Sequence, residues 1–268
     1  MKKTDSILCF DLDGTLLDHE GRIHPKDIDL LKKYDNYQFV VTTGRSRESV
    51  RKSFNLNGIF MHSIIPIPMI LLNGALIYAS NERFISYHPF TQEIQFKLLK
   101  PIKHFPDITF LLLNLDDIHL INPTPFGMRA CKRFEFNTIP LSDENVSVSF
   151  SKLMCISPEL SDLKNFSILS SKLPVEIAMS MEFVLEITPS GINKAVGLQR
   201  LINDLQIENR NILAAGDGGN DVQLFSLASS SFVPDNAPDK IKSYADFIIN
   251  RNKSGILSPM IYSLCELQ

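Results

Sequence analysis

Short apolar runs that stop at a small polar residue punctuate the chain. Ile7-Leu8-Cys9-Phe10 runs into Asp11, Phe39-Val40-Val41 into Thr42-Thr43-Gly44, Met69-Ile70-Leu71-Leu72 into Asn73-Gly74, and Ile212-Leu213-Ala214-Ala215 into Gly216-Asp217. Unbroken apolar runs of this length suit strands buried on both faces, as in a parallel sheet covered by helices. Helical patterns follow them at 25–34, 47–55 and 220–228. As neighbouring parallel strands, the four runs bring Asp11, Thr43, Asn73 and Asp217 to one carboxyl edge of the sheet. Open α/β sheets bind their ligands at that edge.

The pattern changes between residues 83 and 186. A helix is predicted over 91–104, two strands over 107–122 around Leu115-Asp116-Asp117, and a strand over 152–156. A helix over 159–173 and two further strands over 175–188 complete the set. Hairpins with one or two helices predict an α+β unit with a mainly antiparallel sheet. This unit, 83–186, is read as an insertion between 1–82 and 187–268, the two halves of a Rossmann-like parallel-sheet core with helices on both faces. Residues 126–145 give no clear pattern, and Phe84, Phe90 and Phe96 read as core.

Composition narrows the class. The 268 residues are 44% hydrophobic and 21% charged, which excludes disorder and fibrous repeats. A net charge of −3 supplies no broad positive field, so neither nucleic acid nor an anionic membrane is an expected partner. Cys9, Cys131, Cys155 and Cys265 are widely spaced with no C-x-x-C pair, and the six histidines show no zinc-ligand spacing. The apolar stretch behind the basic Met1–Asp5 is too short for a signal-peptide core. Pro66, Pro68 and Asn73-Gly74 break the greasiest segment, 64–79, before it could span a bilayer. A reducing, cytoplasmic setting is expected; the pattern specifies no oligomeric state.

The polar residues at the strand ends form a chemical set. Asp11-Leu12-Asp13-Gly14-Thr15 places two carboxylates at i and i+2 in a turn that Gly14 can tighten. Gly216-Asp217-Gly218-Gly219-Asn220-Asp221 repeats the theme at the start of a helix. Carboxylates gathered at one edge repel one another unless a cation lies among them, and oxygen ligands without His or Cys select Mg²⁺. A metal beside a free carboxylate suits attack on a phosphoryl group. Thr43 offers a hydroxyl, Gly44 a backbone N–H and Lys194, at a predicted helix start, a full charge for phosphate oxygens.

These segments, with Thr43-Gly44-Arg45, Asn73-Gly74-Ala75, Glu186-Ile187-Thr188-Pro189 and Asn236-Ala237, resemble the ordered motifs of the haloacid dehalogenase superfamily, and most closely its Cof-like sugar-phosphate phosphatases. The resemblance implies a Mg²⁺-dependent phosphatase for small phosphorylated metabolites, with the inserted unit as a cap that selects the substrate and closes over the site. It implies Asp11 as nucleophile and Asp13 as general acid and base. The metal would be held by Asp11, the Asp13 carbonyl and Asp217, with Asn220 or Asp221 as ligand or support. Thr43, Gly44, Lys194 and Asn73 would bind the phosphate, although Thr42 is a rival to Thr43 and Asn73 has an alternative as a turn residue. Arg45 and Arg47 fit a surface or helix-start role at least as well as a substrate contact, and in the cap His119, Arg129, Lys132 and Arg133 are candidate substrate readers that a solvated face explains as well. Pro234-Asp235 departs from the small apolar residue and glycine usual before Asn236. A phosphomutase and a non-catalytic binder are the competing functions; the middle segment lacks an evident arginine cluster for the former, and a binder has no need of Asp13.

Overall fold

The computed structural model describes residues 6–61, 64–141, 148–206 and 211–266. In chain order these form β1 (Ser6–Phe10), α1 (Pro25–Leu31), β2 (Gln38–Thr42), α2 (Arg47–Leu56), β3 (Met69–Leu71), β4 (Leu76–Ala79) and β5 (Arg83–Tyr87). There follow α3 (Gln92–Leu99), β6 (Thr109–Leu113), β7 (Ile118–Ile121), α4 (Pro125–Arg133), β8 (Thr138–Pro140), β9 (Lys152–Ile156), α5 (Leu160–Ser170), β10 (Val175–Met181) and β11 (Val184–Pro189). The chain ends with α6 (Lys194–Asp204), β12 (Asn211–Ala215), α7 (Val222–Phe225), β13 (Ser230–Pro234), α8 (Asp239–Lys242), β14 (Phe247–Ile249), α9 (Arg251–Ser254) and α10 (Leu257–Glu266). It divides into two units, Met1–Ser86 with Asn193–Gln268, and Tyr87–Ile192.

The first unit holds an eight-stranded sheet in the order β14-β13-β12-β1-β2-β3-β4-β5. The pairs from β14 through to β3 are parallel, and β4 runs antiparallel to β3. Ile7 and Cys9 of β1 share one face with Val40, Ile70 and Ala214, packed against Leu198 and Leu201 of α6 and Leu224 of α7. Leu8, Phe10, Phe39 and Val41, one residue out of phase, are equally buried, so both faces of the sheet are covered. From β1 the chain builds outward through β2 and β3 on one side and, much later, through β12 to β14 on the other. The crevice between the ends of β1 and β12 is therefore the topological switch point.

The second unit is a six-stranded sheet, β10-β11-β9-β6-β7-β8, antiparallel except for the parallel pair β7–β8. Ile94 and Leu98 of α3 and Leu163 and Phe166 of α5 pack on Phe110, Leu112, Leu153 and Cys155.

Several boundaries differ from the sequence reading. Residues 83–86 belong to the first unit because Arg83–Tyr87 forms β5, the outermost strand of its sheet. Residues 187–192 belong to the second, because β11 continues its ladder with β10 through the Val175–Pro189 pair. The predicted 91–104 helix stops at Leu99, before Pro101, which cannot donate a helical hydrogen bond; the 3-10 turn Ile102–His104 follows. The helix predicted over 220–228 shrinks to α7 behind the 3-10 turn Gly219–Asp221. In the unread 126–145 stretch, Thr124 caps α4 with Pro125 at its first turn, and β8 follows; residues 142–147 lie outside the described part. Phe90 is core, but Phe84 and Phe96 are exposed. Phe96 lies between Ile94 and Leu98, which take the inward face of α3, so helical geometry turns its ring outward. Cys9, Cys131 and Cys155 are buried free thiols; the side chain of Cys265 lies outside the described part.

Candidate active site

Four parallel strand ends supply the groups. The Asp11 N–H, first beyond β1, extends the ladder by donating to the Ala215 carbonyl at 2.9 Å. Past β2, the Thr43 N–H donates to the Ile70 carbonyl at 2.8 Å, and the Asn73 N–H returns to the Thr43 carbonyl at 3.0 Å. Asn193 caps α6 through its Oδ1, which accepts the Val196 N–H at 2.9 Å, and so fixes Lys194 as the first residue of that helix.

Lys194 is 1% exposed and its ammonium lies between two carboxylates. Nζ donates to Asp11 Oδ1 at 2.7 Å and to Asp221 Oδ1 at 2.6 Å. Carboxylate oxygens of Asp11, Asp217 and Asp221 all lie within 4.8 Å of one another. Asp221 is fully buried, and its second oxygen accepts the N–H groups of Asp217 at 3.1 Å and Gly218 at 3.0 Å. It shapes the acidic turn from within. Asp217 Oδ1 accepts the Thr15 hydroxyl at 3.0 Å. Asn220 turns the other way, its Nδ2 donating to Asn73 Oδ1 at 3.1 Å.

Asp13 is held apart from this cluster. Arg45 spans both its oxygens, with Nε donating at 2.7 Å, while Nη1 of the same guanidinium donates to the hydroxyls of Ser49 and Ser53. The Asp13 side chain stays 59% exposed, at the mouth of the site rather than in its floor. Thr43 is fully buried and its hydroxyl oxygen accepts the Arg45 N–H at 3.2 Å. The Thr42 hydroxyl, equally buried, has no hydrogen-bond partner among the described residues. Asn236 donates to the Gly14 carbonyl at 3.1 Å, so the loop carrying Pro234-Asp235 reaches the Asp13-Gly14 turn.

Electrostatics set the character of the cluster. Burial pushes Asp11 up to about 8, against the pull of Lys194 and with help from the Asp221 and Asp13 charges. Burial also pushes Asp217 up to about 6, opposed by the Thr15 hydroxyl. For Lys194, burial works against the ammonium, but Asp11 and Asp221 more than reverse it and hold its pKa above the ordinary lysine value. Were all three carboxylates ionised, the one ammonium would leave two surplus negative charges in a largely desolvated space, the charge of one divalent cation. The donors are all oxygen, so the residues fit a hard cation. The Cys9 thiol is pushed up to about 12 by burial and stays protonated.

The structure thus brings Asp11, Asp217, Asp221 and Lys194 together, joins Asn73 to Asn220, and leaves Asp13 to Arg45. Sequence reasoning gave no role to Thr15, Ser49 or Ser53 and left Arg45 between a substrate contact and a surface or helix-start role. A partial signal was available: Ser49 and Ser53 lie four residues apart on one face of the predicted 47–55 helix, and Arg45 stands just before it. Of the candidate readers in the second unit, His119 is buried on β7, opposite Leu112; Arg129, Lys132 and Arg133 are exposed on α4.

The first unit is a Rossmann-like sheet with acidic turns at its switch point, and the α+β unit is inserted in its chain. The family model of the haloacid dehalogenase-like hydrolases matches residues 8–260, and the chain belongs to that family, within its phosphatases. It is 26% identical over 276 residues to the 5-amino-6-(5-phospho-D-ribitylamino)uracil phosphatase of Bacillus subtilis, covering 91% of this chain and 93% of that one. Its fold matches that of a Thermotoga maritima protein with a TM-score of 0.81 at 24% identity, covering 94% of each chain. A solved subclass IIB sugar phosphatase of the superfamily superposes with a TM-score of 0.76 at 21% identity, covering 96% of this chain and 98% of that one.

Proposed function

We propose that this phosphatase acts on small phosphorylated metabolites, sugar phosphates foremost, with Mg²⁺ as cofactor and Asp11 as the phosphoryl acceptor. The observation that carries the reading is the joining of Asp11, Asp217, Asp221 and Lys194 from segments up to about two hundred residues apart. The relative from Bacillus subtilis, whose named substrate is a phosphorylated ribityl compound, supports the substrate class.

Asp11, the Asp13 carbonyl and Asp217 would hold Mg²⁺, with Asp221 and Asn220 supporting the turn. The ion, when bound, offsets the negative charge that the carboxylates and a phosphate bring together. The steps themselves belong to the side chains. A carboxylate oxygen of Asp11 forms a bond to phosphorus as the bond to the leaving alcohol oxygen breaks, giving an aspartyl-phosphate. Asp13 delivers a proton to that oxygen, then takes one from the water that attacks phosphorus in the second step. As the water oxygen bonds to phosphorus, the bond from the Asp11 oxygen to phosphorus breaks, inorganic phosphate departs and both carboxyl groups return to their starting state. Lys194, Thr43, the Gly44 N–H and the Asn73 amide orient the phosphoryl oxygens and stabilise charge that builds in the transition state. Arg45 sets where the Asp13 carboxyl rests between the two proton transfers. The second unit selects the substrate, and the enzyme works in the cytoplasm. Among the described residues no helix is long and apolar enough to cross a membrane.

Phosphate release from an aryl phosphate, with and without Mg²⁺, tests the reading in wild type and Asp11→Asn. Mg²⁺-dependent turnover in wild type, with Asp11→Asn at least about a thousandfold slower, is expected for loss of a covalent nucleophile. Equal rates in the two proteins would refute it. A panel of phosphorylated metabolites ranked by kcat/KM then identifies the substrate class.

A further inference from the structure

The 3-10 turn Leu72–Gly74 touches three of the segments that supply the proposed chemistry: the Thr43–Arg45 loop, the start of α6 and the acidic turn. Leu72, Asn73 and Gly74 all hold left-handed backbone, with φ of 51°, 56° and 103°. Glycine takes such angles freely and asparagine tolerates them, whereas a buried leucine does so only where its surroundings enforce it. Here three contacts enforce it. The Leu72 N–H donates to the Arg45 carbonyl at 3.2 Å, and the Asn73 N–H to the Thr43 carbonyl at 3.0 Å. Gly74 lies so near the Asn193 carbonyl, at the cap of α6, that a Cβ there would collide with it.

The backbone of the turn is therefore stitched to the Thr43–Arg45 loop and to the helix of Lys194. The Asn73 side chain adds the remaining link, to the acidic turn, by accepting from Asn220 Nδ2. Packing alone gives no reason for an amide at position 73, since glycine would hold the same backbone at lower cost. The geometry points to Asn73 as a positioning residue for the acidic turn. By holding Asn220, it fixes the spacing between the Asp217–Asp221 segment and the Thr43–Arg45 loop, and so keeps the carboxylates where they meet a divalent cation. Its effect on turnover rests on the phosphatase reading; its effect on cation binding does not.

The test compares Asn73→Gly, Asn73→Asp, Asn220→Ala and the Asn73→Gly/Asn220→Ala double variant. Mg²⁺ affinity is measured by titration calorimetry, thermal stability by unfolding, and kcat and KM on an aryl phosphate. Asn73→Gly is expected to melt within about 2 °C of wild type, yet to bind Mg²⁺ about tenfold more weakly and to lose kcat with KM little changed. Asn73→Asp keeps an oxygen for Asn220 and tolerates the same backbone, so it binds Mg²⁺ at least as tightly as wild type. The double variant binds no more weakly than Asn220→Ala alone, because both changes cut one link. Wild-type Mg²⁺ affinity in Asn73→Gly, a change confined to KM, weak binding by Asn73→Asp, or losses that multiply in the double variant would each overturn the assignment. Should wild type release no phosphate from any substrate, the phosphatase reading falls, and the Mg²⁺ titrations still decide the role of Asn73.

Discussion

Gly14 and Asp217, 203 residues apart in sequence, are packed so closely that a Cβ at position 14 would collide with Asp217 Oδ2. Gly14 also holds φ +77°, a conformation costly for any residue with a side chain. Both facts make position 14 intolerant of alanine. Gly14→Ala is expected to lose about 1–3 kcal/mol of stability and, with Asp217 displaced, most of its stabilisation by Mg²⁺. Urea unfolding with and without Mg²⁺ checks both; a variant that Mg²⁺ stabilises as it does wild type would show that Asp217 can move without consequence.

The Lys194 ammonium opposes a penalty that grows with pH. Burial pushes Asp11 up to about 8, so the stability tied to its proton is full below the ordinary aspartate range and is lost as pH rises through 8. Lys194 limits that loss by pairing with the carboxylates of Asp11 and Asp221. In Lys194→Met the positive charge paired with them is gone, and Asp221 keeps only its backbone N–H donors. The deficit relative to wild type should therefore increase with pH, reaching about 3–5 kcal/mol above pH 8 and staying smaller at pH 5. Urea unfolding at pH 5, 7 and 8.5 gives the trend. A deficit that shrinks as pH rises would contradict it.

How far the molecule was legible follows from which forces are local. The runs ending at Phe10, Val41 and Ala215 announce buried strands because every residue in them is apolar, and that property survives any context. β4 and β5 were hidden. Leu76–Ala79 continues an apolar segment already interrupted by Pro66, Pro68 and Asn73-Gly74, and Arg83–Tyr87 shows no shift in composition to announce a strand. The limits of the inserted unit moved for the same reason, since ladder partners define them rather than local pattern. Helix α7 is short because the Asp221 carboxylate folds back onto the N–H groups of Asp217 and Gly218, which commits the preceding residues to a turn. Links such as Thr15 to Asp217 and Asn73 to Asn220 join residues 202 and 147 apart, and no periodicity encodes them.

Glu82 supplies a stability term of the opposite sign. Its side chain is 6% exposed and accepts from Arg51, with Arg47 nearby and the Ile65 N–H donating at 3.1 Å. Despite burial, these partners hold its carboxyl below the ordinary glutamate value. The resulting stability is present above that value and is lost as pH falls through the lowered one. Arg51 is 43% exposed, so solvent screens the pair and reduces its strength. Glu82→Gln is expected to cost about 1–2 kcal/mol at pH 7, with the difference from wild type fading in acid. Parallel acid titrations of wild type and variant, followed by circular dichroism, show the two curves converging. Curves that stay parallel would mean the Glu82 charge does not contribute.

A divalent cation among Asp11, Asp217 and Asp221 favours their ionised forms, so its binding must displace the protons that burial retains. At pH 7 a group with pKa near 8 is mostly protonated and one near 6 mostly ionised. Mg²⁺ binding at pH 7 should then release about one proton, taken largely from Asp11. Below pH 6 the release should rise as Asp217 contributes, and above pH 9 it should vanish, with apparent affinity increasing in the same direction. Calorimetric titrations in buffers of different ionisation enthalpy read the number directly, from the slope of observed heat against buffer heat. A slope of zero at pH 7 would place the bound ion away from Asp11.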